Sequence, residues 1–146
     1  MPQPTPWELH FFERHFGDDL TRAAPASHYL LSCPLTVRTR IFAVLNAVRA
    51  APPPQFSGGG MWEAMHGEMA GMYEVRVKSG RWLYRLFCSL ERTGTDVGLS
   101  GPAIMLIDGR TKPEMTEIRK AEYAKIKALY DEMRKRVPRS IVRAAN

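Results

Sequence analysis

Between Gly71 and Leu90 the chain reads GMYEVRVKSGRWLYRLFCSL, and this stretch restricts the fold more than any other. Before Ser79-Gly80, Tyr73, Val75 and Val77 alternate with Glu74, Arg76 and Lys78. After it, Leu83, Arg85, Phe87 and Ser89 alternate with Tyr84, Leu86, Cys88 and Leu90. A period of two places successive side chains on opposite faces of a sheet. The spacing therefore predicts a β-hairpin with one face free to join a core. The other face presents Arg76 and Lys78 on rigid backbone, with Arg85 nearby, and Glu74 is the only acid between Met69 and Leu90. A cationic patch on a strand pair suits a phosphate, so the hairpin points towards nucleic acid.

The flanking segments give the hairpin its context. Val37, Ile41, Val44, Leu45 and Val48 recur at helical spacing, with Arg38, Arg40 and Arg49 off that stripe, which predicts a helix over 36–50. Pro52-Pro53-Pro54 ends it, and Ser57 to Gly60 forms a flexible turn. Residues 7–12, WELHFF, suit either an edge strand or the opening of a short helix, while 17–34 reads as loop. Met61, Met65 and Met69 fall four apart, as in a short packed helix. Residues 91–102 are polar and glycine-rich, a loop, and AIMLI at 103–107 suits a strand covered on both faces.

The final helix is expected to start at a capping box formed by Thr111 and Glu114, with Pro113 in its first turn. Met115, Ile118, Ile126, Leu129 and Met133 supply its apolar stripe, and Pro138 ends it, leaving a frayed tail from Arg139. Asp108, closing the apolar strand, is a candidate base but reads first as a turn former. Together these elements predict one α+β domain over 1–146, an antiparallel sheet with a central hairpin flanked by helices, and an extended N-terminal segment of about 35 residues.

Charge is unevenly spread. Residues 1–109 balance ten Lys/Arg against ten Asp/Glu, whereas 110–146 hold eleven against five, which accounts for the net charge of +6. A basic C-terminal segment suits an anionic partner such as RNA, DNA or an acidic protein; a solvated helix face is the plain alternative. Cys33 and Cys88 make no disulfide framework and no zinc spacing. The N-terminus lacks a signal-peptide pattern, and no apolar run approaches the roughly 20 residues that span a bilayer. A cytoplasmic protein without metal or cofactor is the expectation.

The order Tyr73-Glu74-Val75-Arg76, Tyr84-Arg85-Leu86-Phe87, then Gly109-Arg110-Thr111-Lys112-Pro113 and a charged helix resembles the RelE/ParE superfamily of bacterial toxins, in particular its HigB or phage Gp49-like branch. The resemblance covers about 61–136. It implies a sheet flanked by helices, ribosome-dependent cleavage of mRNA and neutralisation by a cognate antitoxin. In that chemistry a ribose 2′-hydroxyl attacks the adjacent phosphate while basic groups stabilise the developing charge. Carried onto this chain, the resemblance makes Arg76 a basic residue of the first active strand and Arg85 the phosphate-stabilising arginine. Arg110 and Lys112 fall in the segment after the last strand, and Tyr123 is the candidate C-terminal tyrosine. Lys78, Arg81, Arg119 and Lys120 are further candidates for RNA contact. No histidine matches a family position, and His66 precedes the hairpin, so proton transfer has no assigned residue. A RelE-like binding module without nuclease activity, gyrase-directed or a degenerate toxin and acting through protein contacts, is the other reading.

Overall fold

The alternating hairpin lies near the middle of a six-stranded sheet. The computed structural model describes residues 5–51 and 60–144. In chain order the elements are β1 (Glu8–Phe12), α1 (Pro25–Ser32), α2 (Leu35–Ala50), β2 (Trp62–Ala64), β3 (Met72–Ser79), β4 (Trp82–Glu91), β5 (Ala103–Pro113), α3 (Lys120–Arg134) and β6 (Ile141–Arg143), with 3-10 turns at Gly67–Met69 and Gly94–Val97. The strand order is β2-β3-β4-β5-β1-β6, antiparallel throughout except where β1 runs parallel to β5. The fold is thus α+β, with a mostly antiparallel sheet.

Strand parity sorts the side chains as the alternation demands. Val75, Val77, Leu86, Cys88, Ile104 and Leu106 join Ala26 and Leu30 of α1 and Val37, Ile41, Leu45 and Val48 of α2 in one core cluster. Met72, Phe87, Met105 and Ile107 face the other way and pack with Ile126, Tyr130 and Met133 of α3. Burying each large apolar side chain stabilises the fold by about 1.5–3 kcal/mol. The hairpin closes through Gly80 and Arg81, since Ser79 pairs with Trp82. Gly80 takes φ +60°, a left-handed value that glycine adopts without steric cost in a two-residue turn.

Several expectations are corrected. Residues 17–34 contain α1, which begins with Pro25 at its first position and has no side-chain cap. Within residues 7–12, Glu8–Phe12 forms a strand inside the sheet, between β5 and β6, rather than at its edge. Residues 61–69 hold β2 and a 3-10 turn in place of a helix. The strand expected at 103–107 continues to Pro113, because Gly109 to Pro113 pair with Leu86 back to Trp82. The helix therefore starts at Lys120, not at a capping box. The Thr111 hydroxyl bonds Tyr29 instead, the Glu114 amide donates to the Arg81 carbonyl at 2.7 Å, and the Glu114 carboxylate pairs with Lys78. Asp108 sits within β5 rather than in a turn. Part of the expected frayed tail is β6, paired with β1. Pro52 to Pro54 and Ser57 to Gly59 lie outside the described residues. No helix among the described residues is long and apolar enough to cross a membrane.

Candidate anion-binding site

Register turns single residues into rows. Arg76 on β3 stands opposite Arg85 on β4, and Arg85 stands opposite Arg110 on β5. The row before it is Glu74, Phe87 and Asp108; the row after it is Lys78, Leu83 and Lys112. All lie on the α3 side of the sheet, and neighbouring strands are about 4.8 Å apart. A β-bulge makes this possible. Phe87 pairs with Asp108 but Cys88 pairs with Leu106, so Ile107 is an extra residue on β5. An extra residue shifts the phase of everything beyond it. Met105 and Ile107 face α3, and after the bulge Asp108, Arg110 and Lys112 face the same way.

The three arginines differ in their surroundings. The Arg85 side chain is 14% exposed; its Nη1 lies 3.8 Å from Glu74 Oε2 and 3.5 Å from the Tyr123 hydroxyl, to which it donates. Arg76 is 43% exposed, with Nε 3.5 Å from Glu74 Oε1. Arg110 is held more firmly: Nη1 is 2.8 Å from Asp108 Oδ2 and Nε is 3.1 Å from Glu122 Oε1. Hydrogen bonds from Lys125 and Arg110 and the field of both cations keep the Glu122 carboxyl below its ordinary range. Glu74 is a buried carboxylate between two guanidinium groups, and its Oε2 has no hydrogen-bond partner. Like-charged arginines in one row repel, and these carboxylates offset that repulsion.

Arg76, Arg85 and Tyr123 stand where three clefts meet. A cleft of about 750 Å³ between the β2–β3 edge and α3 is lined by Met65, His66, Glu74, Arg76, Lys120, Tyr123 and Ala128 among others. Arg76 and Arg85 both line a second of about 330 Å³, and Arg85, Lys112 and Tyr123 line a third of about 470 Å³. The Tyr123 ring meets Phe87 edge-on at 6.1 Å, which fixes its place over the sheet.

Of the residues singled out from sequence, Arg76, Arg85, Arg110 and Tyr123 come together. Lys78 and Lys112 form the adjoining row, each engaged: Lys78 with Glu114 at 2.7 Å, Lys112 with the Thr116 carbonyl. Lys120 borders the large cleft. Arg81 sits in the hairpin turn and Arg119 at the N-cap position of α3; both are exposed, and neither lines the three clefts. Tyr84 packs against the α1–α2 core, while Trp82 is half exposed beside Pro113. Sequence reasoning did not assign Glu74 to the site, although its place two residues before Arg76 puts both on one face.

Compared with protein-family models, with characterised proteins and with solved structures, the chain finds no match.

Proposed function

We propose that this chain is the toxin of a type II toxin–antitoxin pair, of the RelE/ParE type and its HigB or Gp49-like branch. In this reading it is cytoplasmic, cleaves mRNA on the ribosome and is neutralised by a cognate antitoxin. The observation that carries the reading is the in-register row of Arg76, Arg85 and Arg110 beside the buried Glu74, with Arg76 and Arg85 lining open clefts. Arg76 and Arg85 hold the non-bridging phosphate oxygens, where a planar guanidinium supplies paired donors. Glu74, the carboxylate nearest both, accepts the proton of the 2′-hydroxyl as its oxygen attacks phosphorus. The phosphorus–5′-oxygen bond breaks, and the Tyr123 hydroxyl, next to Arg85, protonates the leaving oxygen. Arg110, already paired with Asp108 and Glu122, acts mainly through the field it adds. The clefts on either side of Arg85 suit unpaired bases, which fits single-stranded RNA better than a duplex.

One observation favours the alternative of a binding module without nuclease activity. Each arginine of the row already has a carboxylate partner, as in a structural ion-pair network.

The test is primer extension on a reporter mRNA incubated with ribosomes and purified protein, wild type against Arg85→Lys. Lysine keeps a cation beside Glu74 but loses the guanidinium fork. Discrete ribosome-dependent cuts that fall roughly 10²–10³-fold in rate with the variant are expected. Intact mRNA with folded wild-type protein would sink the nuclease and leave the binding module.

A further inference from the structure

Tyr29 lies on α1, across the sheet from the arginine row, and reaches the backbone of that row. Its ring lies flat on Gly109: a Cβ there would stand 2.0 Å from Tyr29 Cδ2 and 2.3 Å from Cε2. Glycine inside a strand weakens it and marks a close approach, and here the approaching group is this ring. The Tyr29 hydroxyl donates to the Arg110 carbonyl at 3.0 Å and meets Thr111 Oγ1 at 2.9 Å. Burial raises the phenol well above its ordinary range, so it stays a neutral donor. Arg85 and Arg110 are partners in register. A single hydroxyl therefore holds the backbone of the row at Arg110, together with the Thr111 side chain, from the side away from any ligand.

We propose that Tyr29 is a positioning residue for the arginine site. It fixes the β5 backbone at Gly109 and Arg110, where Arg110 stands in register with Arg85, and so sets the spacing of the guanidinium groups on the far face. Its geometric part stands on these contacts; its effect on ligand rests on the phosphate-binding reading of the row. A group displaced by about 1 Å can cost as much as 10²-fold in a reaction. The N-terminal segment beyond the resemblance thus serves the site through α1.

The decisive variant is Tyr29→Phe, which keeps the ring on Gly109 and removes the hydroxyl. The side-chain Nε–H signals of Arg85 and Arg110 are followed by ¹⁵N NMR, alongside binding of a labelled single-stranded oligouridylate. The expected result is that both signals move or broaden and affinity falls roughly 10-fold. A merely structural tyrosine would lower the unfolding midpoint yet leave the Nε–H signals and the affinity of the folded variant unchanged, and that result overturns the proposal. Thr111→Val, at an exposed position, is the second variant and decides the matter if Tyr29→Phe fails to fold; smaller changes in the same direction are expected. If the signals move but wild type binds no RNA, the positioning role stands and the nucleic-acid reading falls. If wild type binds RNA and the signals stay put, the positioning role alone falls.

Discussion

On one face of β3 and β4, Val75, Val77, Leu86 and Cys88 are buried under α1 and α2. On the other, α3 covers Met72 and Phe87 and leaves Arg76 and Lys78 in solvent. The same two strands supply both faces, so the difference lies in the helices laid over them. Two helices close the first face. The second has one, which starts only at Lys120 because β5 runs on to Pro113. Apolar burial on the closed face contributes about 1.5–3 kcal/mol per large side chain. The exposed ion pairs of the open face contribute about 0–1 kcal/mol each. Both faces thus carry apolar core, while the charged row able to meet a ligand is on the second.

Mutations that respect or cross this division test it. Leu86→Ala, at a fully buried position on the closed face, is expected to lower unfolding free energy by about 2–5 kcal/mol in urea titrations. A loss far smaller than that would mean the face is not closed. Gly109→Ala drives a methyl into the Tyr29 ring and should cost about 1–3 kcal/mol by the same measurement. An unchanged midpoint would show that the ring does not rest there. Arg76→Ala, on the open face, should leave stability within about 0.5 kcal/mol. It should also reduce the slope of log affinity against log salt for RNA by about 1. An unaltered slope would place Arg76 outside the contact.

The smallest effect lies far from both faces. Asp18 is held below its ordinary range by its hydrogen bond from Arg136, and Asp19 by the Ala23 amide and Thr21. A depressed carboxyl contributes stability above its unfolded pKa of about 3.9, and that stability is lost as pH falls through the folded value. Carboxyl ¹³C titration of Arg136→Ala should return Asp18 towards about 3.9 while Asp19 stays low. If Asp18 does not move, the 3.0 Å pair is not formed in solution.

How legible these features were depends on how local their causes are. The hairpin and α2 declare themselves because their apolar period is set within a few residues. Helix α1 has eight residues and no side-chain cap, and its one local signal was Pro25 at the first helical position. The Thr111–Glu114 spacing misleads because distant partners, Tyr29, Arg81 and Lys78, take the groups a capping box would have used. Tyr29 could have been suspected only through Gly109, an interior strand glycine in need of a close neighbour.

By itself the sequence determined the parity of β3 and β4, and with it which side chains face a core and which carry charge. That follows from the two-residue repeat of extended backbone and needs no partner. Only the tertiary structure decided that three arginines stand in one row. Simple alternation from Met105 and Ile107 would place Gly109 and Thr111 beside Arg85 and send Arg110 and Lys112 to the α1–α2 side. The extra residue at Ile107 reverses that phase. A bulge is a property of how two strands pair, and neither strand encodes it alone.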